Sequence, residues 1–153
     1  MMQKNILQVK EILSRYIDRF VKEYNIKLIY IFGSYAKGTN TENSDLDIAV
    51  YIDGKADSFV KLDILDELVA ILNREDIDLV ILNNVDAELQ FQVIKYGKII
   101  YMENILTKVL FESRVMSIYM DMEYFRRVQY EIGHKRFLKA FEEKGLSRRR
   151  WPN

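Results

Sequence analysis

The sequence predicts a small α/β domain, in the order helix, strand, loop, strand, helix, strand, with a helical C-terminal third. Three observations carry that prediction. Apolar residues recur at helical spacing near the N-terminus and again after residue 58. Two short β-rich runs, "KLIYIF" and "IDLVIL", lie among those helical segments. A third run, "DLDIAVYI", alternates with a period of two.

Taken in order, Ile6, Val9, Leu13, Tyr16, Phe20 and Tyr24 predict one amphipathic helix over 5–24. Residues 27–32 are a strand by composition. "GTNTENS" (38–44) holds only turn and loop residues. In 45–52, Leu46, Ile48, Val50 and Ile52 share one face of a strand; Asp45, Asp47, Ala49 and Tyr51 share the other. "DGKADS" (53–58) breaks the chain, with Ser58 as the expected N-cap of the next helix. Val60, Ile64, Leu65, Leu68, Ile71 and Leu72 mark that helix.

Strand 77–82 follows, then a helical segment over 86–96 ended by Gly97, then "KIIYM" (98–102) as a short edge strand. From Asn104 onward the pattern is helical. Phe111, Val115, Ile118, Met122 and Phe125 form a seam at 4-3-4-3 spacing. That seam packs on its own domain or forms half of an interface with another helix; the spacing leaves both open. Gly133 is expected to interrupt or end the helix, and "GLSRRRWPN" (145–153) reads as a frayed tail.

Bulk properties narrow the function. A chain of 153 residues suits one domain with a real core. Its formal net charge is zero, so overall charge gives no case for nucleic acid or an anionic membrane as partner. The absence of cysteine excludes disulfides, thiolate metal sites and a cysteine nucleophile, and fits a reducing cytoplasmic setting. The N-terminus has charges where a signal peptide needs an apolar run, and no apolar segment approaches the roughly 20 residues that span a bilayer.

The chemistry lies in "IFGSYAKGTNTENSDLDIAV", Ile31–Val50. Strand residues two apart point the same way, with Cα atoms roughly 6.5 Å apart, so Asp45 and Asp47 can converge on one point. Like charges beside a sheet repel and need neutralising, and a divalent cation such as Mg²⁺, which takes oxygen ligands, does so economically. Asp78 joins the same acidic face if strands 45–52 and 77–82 are neighbours. Three carboxylates can then hold two cations, the arrangement that clamps attacking and leaving oxygens in phosphoryl transfer. Against this, Asp45 borders a loop and Asp78 follows the acidic "RED", so either can be a plain strand-start residue; Asp47 sits inside the apolar alternation. Gly33 lets backbone approach a phosphate, Ser34 can start a short helix facing an anion, and Lys37 and Ser44 are further candidates for nucleotide contact.

Gly33-Ser34, ten residues, then Asp45-Leu46-Asp47 resembles the GS-x10-DxD signature of nucleotidyltransferases related to DNA polymerase β. The resemblance covers roughly residues 5–102 and implies a polymerase β-like core with a small mixed sheet flanked by helices. Within that superfamily the chain is similar to the minimal nucleotidyltransferases (MNT type), which are paired with HEPN ribonucleases in toxin–antitoxin systems.

The resemblance implies a core over 1–103, a helical extension over 104–146 and a flexible tail over 147–153. It implies two Mg²⁺ ions held by Asp45, Asp47 and Asp78, ATP as substrate, and nucleotide contacts from Gly33 and Ser34. The implied activity is AMP transfer from ATP to a hydroxyl, a tyrosine in particular, of a cognate HEPN toxin. No membrane and no direct nucleic-acid contact are expected. Two rivals stand beside it: an antitoxin that acts by occlusion alone, and an adenylyltransferase of a small molecule such as an aminoglycoside. Length favours a protein acceptor, because only about fifty residues follow the core and they have little with which to enclose a second small substrate.

Overall fold

A computed structural model describes residues 5–144. The first compact unit runs to Met116 and the second begins at Ser117. In the first unit, α1 (Ile6–Ser14) and α2 (Ile17–Tyr24) lead into β1 (Ile26–Phe32). A short helix, α3 (Gly33–Lys37), and a loop precede β2 (Leu46–Ile52). Then come α4 (Ser58–Leu72), β3 (Ile77–Ile81), a 3₁₀ turn (Leu82–Asn84), α5 (Ala87–Tyr96) and β4 (Lys98–Met102). Helix α6 (Ile105–Glu143) gives its first turns to this unit and the rest to the second.

The sheet order is β3-β2-β1-β4. β1 runs antiparallel to β2 and β4, and β2 runs parallel to β3, so the sheet is mixed and β4 is an edge strand. Alternation within β2 separates two cores. Leu46, Ile48, Val50 and Ile52 pack with Val9, Leu13 and Phe20 of the first two helices and Ile64, Leu68 and Leu72 of α4. Ala49 faces the opposite side, with Leu28, Tyr30, Leu82, Val93, Phe111 and Val115. Burying each such aliphatic side chain is worth about 1.5–3 kcal/mol, which makes the register of β2 costly to shift.

Several expectations need correction. The N-terminal segment is two helices rather than one. Asn5 caps α1 through a reciprocal pair with Gln8, and the helix closes at Arg15 and Tyr16 through tighter bonds to Ile12 and Leu13. No proline or glycine marks the break, and Tyr16 is 47% exposed, so the apolar repeat overcounts it.

The cap of α4 is Asp57, one residue earlier than predicted: its Oδ1 accepts from the Val60 amide at 2.9 Å. Gly133 neither ends nor interrupts α6. A lone helical glycine costs only about 1 kcal/mol against alanine, and termination needs a left-handed cap that is not formed here. The apolar seam divides. Phe111 and Val115 are buried, whereas Ile118 is 43% and Phe125 60% exposed. The tail 145–153, Trp151 included, lies outside the described residues. Among the described residues no helix is long and apolar enough to cross a membrane.

Candidate active site

Strand pairing assembles the acidic face. Asp47 is the register partner of Phe32 on β1 and of Asp78 on β3. Because β2 and β3 are parallel neighbours, Asp47 and Asp78 project from the same side of the sheet. Asp45 lies just before β2 on the same alternation. Asp47 is half-buried; Asp45 and Asp78 are exposed. Burial pushes the Asp47 carboxyl above the usual carboxylate range, and the charges of Asp78 and then Asp45 push it further. The charges of Asp78 and Asp45 thus both reach the Asp47 carboxyl.

Gly33 closes the floor of this cluster. It has φ +68°, a left-handed conformation that glycine adopts without strain. A Cβ at this position would overlap the Asp47 carboxylate. The glycine therefore makes room for an aspartate as well as for any incoming phosphate. Ser34 is the next residue, in the first turn of α3, and no side chain caps that helix start. Its leading amides are thus available to an anion.

The two weaker nucleotide candidates stand differently. Lys37 is exposed in the last turn of α3, with its ammonium 6.0 Å from the centre of the Tyr96 ring. The Ser44 hydroxyl accepts from the Thr41 amide at 2.8 Å, which helps close the 39–45 loop.

The donor set suits a hard divalent cation: oxygen ligands only, beside a half-buried carboxylate that gains from an added positive charge. Among the described residues, no three Asp, Glu or His side chains stand close enough together to hold an ion as placed. Asp45 and Asp78 are exposed, so rotation of their side chains can close the set around Asp47.

One residue escaped the sequence. Arg74 lies in the turn after α4, directly after Asn73, whose left-handed backbone (φ 52°) closes that helix. Its Nε and one terminal nitrogen grip both oxygens of Asp76, at 2.6 and 2.5 Å. The other terminal nitrogen donates to the Tyr35 hydroxyl at 2.7 Å, and the first also reaches the Ser44 carbonyl at 3.2 Å. These partners lie 2, 39 and 30 residues away in sequence. "REDID" reads locally as an acidic loop, and only the fold shows what the arginine holds.

Known proteins resemble this chain in sequence and in fold. Residues 15–106 match the family model described as Polymerase beta, Nucleotidyltransferase. The protein adenylyltransferase MntA of Shewanella oneidensis is 34% identical over 98 residues, covering 64% of this chain and 69% of that protein. A solved toxin–antitoxin structure with AMP-PNP matches with a TM-score of 0.64 at 28% identity, over 79% of this chain and 98% of that one. The MntA–HepT toxin–antitoxin structure matches with a TM-score of 0.61 at 25% identity, over 81% and 98%.

Proposed function

We propose an activity from one premise: this chain belongs to the polymerase beta nucleotidyltransferase family. The reaction is transfer of AMP from ATP to a hydroxyl, a tyrosine in particular, of a HEPN-type ribonuclease toxin, which the chain thereby neutralises as an antitoxin. The acidic face carries this reading: Asp47 on β2 is in register with Asp78 on β3 and lies against Gly33 at the end of β1. Similarity to MntA and to toxin–antitoxin structures, one of them with AMP-PNP, supports the acceptor class and the nucleotide.

Asp45, Asp47 and Asp78 would hold two Mg²⁺ ions, which supply positive charge to the triphosphate and to the acceptor oxygen. Gly33 and Ser34 contact the phosphates through backbone amides at the start of α3. Lys37 is a candidate for added positive charge, and Ser44 shapes the loop.

In the transfer, the acceptor oxygen forms a bond to the α-phosphorus. The bond from that phosphorus to the oxygen bridging to the β-phosphorus breaks, and pyrophosphate leaves. Asp78, exposed on β3, would help activate the incoming hydroxyl as its proton leaves. The added AMP brings negative charge and bulk, which at a ribonuclease site repel RNA phosphate.

The test is incubation with labelled ATP, Mg²⁺ and a cognate HEPN-type toxin. Wild type labels the partner, and the Asp45→Ala plus Asp47→Ala variant, folded by circular dichroism, does not. Equal label from the double variant refutes the assignment.

A further inference from the structure

Asp45, alone of the three carboxylates, stands outside a strand, at the end of the loop before β2. Its backbone is nevertheless bracketed. On one side, the Ser44 carbonyl accepts from Arg74 at 3.2 Å. On the other, the Leu46 amide donates to the Asp76 carbonyl at 2.9 Å. Both anchors belong to one three-residue turn, and Arg74 and Asp76 are locked together by a two-pronged pair that fixes the plane of the guanidinium.

The same guanidinium donates to Tyr35 in α3 and lies 5.3 Å from the centre of its ring. Tyr35 follows Gly33-Ser34 directly and is buried. One side chain, itself 14% exposed, therefore joins the segment that carries the glycine–serine turn to the loop that presents Asp45.

We propose that Arg74 is a positioning residue of the transfer site, which holds Asp45 and the Gly33-Ser34 turn at a fixed separation through Ser44 and Tyr35. The inference rests on the nucleotidyl-transfer reading. It assigns Arg74 no contact with nucleotide. Positioning matters because displacement of a reacting group by about 1 Å can cost on the order of 100-fold in rate. Lysine does not substitute: it carries the charge without the planar fork needed to serve Asp76, Tyr35 and Ser44 at once.

Two readouts on the full chain test this. In Arg74→Gln, hydrogen exchange at the Leu46 amide should rise at least about tenfold, while Ile29 and Val50 in the sheet keep their protection. In AMP transfer to the HEPN-type partner, kcat should fall about 10- to 100-fold, with KM for ATP within about threefold. Arg74→Lys should stay nearer to Arg74→Gln than to wild type. Tyr35→Phe removes one hydrogen bond and keeps the ring, so it carries the same test where Arg74→Gln fails to fold; a loss of about threefold to tenfold in kcat is expected. Unchanged exchange at Leu46, or faster exchange with unchanged kcat, overturns the proposal. Full rescue by lysine overturns it as well. A wild-type chain that transfers no AMP overturns the underlying reading, and this inference with it.

Discussion

The two faces of β2 come from seven consecutive residues and do opposite work. One face is uniformly apolar and sealed by α1, α2 and α4. The other begins with Asp47, continues with Ala49 and ends with Tyr51, whose ring centre lies 4.4 Å from that of Phe111. Only the Tyr51 and Ala49 end is packed into a core; the Asp47 end is left half open. The period of two thus lets one strand anchor a fold and expose a carboxylate with no change of backbone. Stability and chemistry should be separable by changing neighbouring residues.

The largest separation is expected at Asp47. Asp47→Asn should lower AMP transfer at least about 1,000-fold, equivalent to roughly 4 kcal/mol of transition-state stabilisation, and leave the melting temperature equal or higher. The sign follows from the direction of the shift. The folded state holds the Asp47 proton more tightly than the unfolded chain does. Wild-type stability is therefore fully present below the ordinary carboxylate range and is lost as pH rises through the raised folded value. Relative to wild type, Asp47→Asn should gain stability over that same rise, as read by denaturant unfolding at stepped pH. The Mg²⁺ concentration needed for half-maximal transfer by wild type should rise as pH drops through the same window, because protonation of the carboxyl competes with the cation.

Ile48, the next residue, should behave in the opposite way. Ile48→Ala should cost about 2–5 kcal/mol of unfolding free energy by urea denaturation, with transfer per folded molecule little changed. A loss of transfer larger than the loss of folded protein would show that the two faces are coupled.

The smallest effect is expected on α6. Phe125, at the exposed end of the seam, is 60% accessible, and Phe125→Ser should change stability by less than about 0.5 kcal/mol. Phe111→Ala, on the buried end, should cost about 3–5 kcal/mol. Similar costs at the two positions would mean that a partner or a second copy covers the exposed end.

This contrast also shows what the sequence could reveal. Asp47 and Asp78 were legible because a strand's alternation is local, and one parallel pairing brought them side by side. Gly33 was legible as a glycine at a strand end, but its contact with Asp47 was not, since that depends on the β1–β2 register. Arg74 was invisible because its partners are scattered over some forty residues and meet only through tertiary packing. The division of α6 into buried and exposed stretches was equally hidden: heptad-like spacing reports a helical stripe, not what lies against it. The break between α1 and α2 carries no local signal, because the apolar repeat runs through it.

The most direct measurement is the intact mass of the HEPN-type toxin after coexpression with this chain. The acidic face of β2 and β3, acting as a nucleotidyl-transfer centre, predicts a toxin heavier by one or more AMP units with wild type and of unmodified mass with Asp47→Asn. Unmodified toxin with the wild-type chain, or equal modification with both chains, would contradict it.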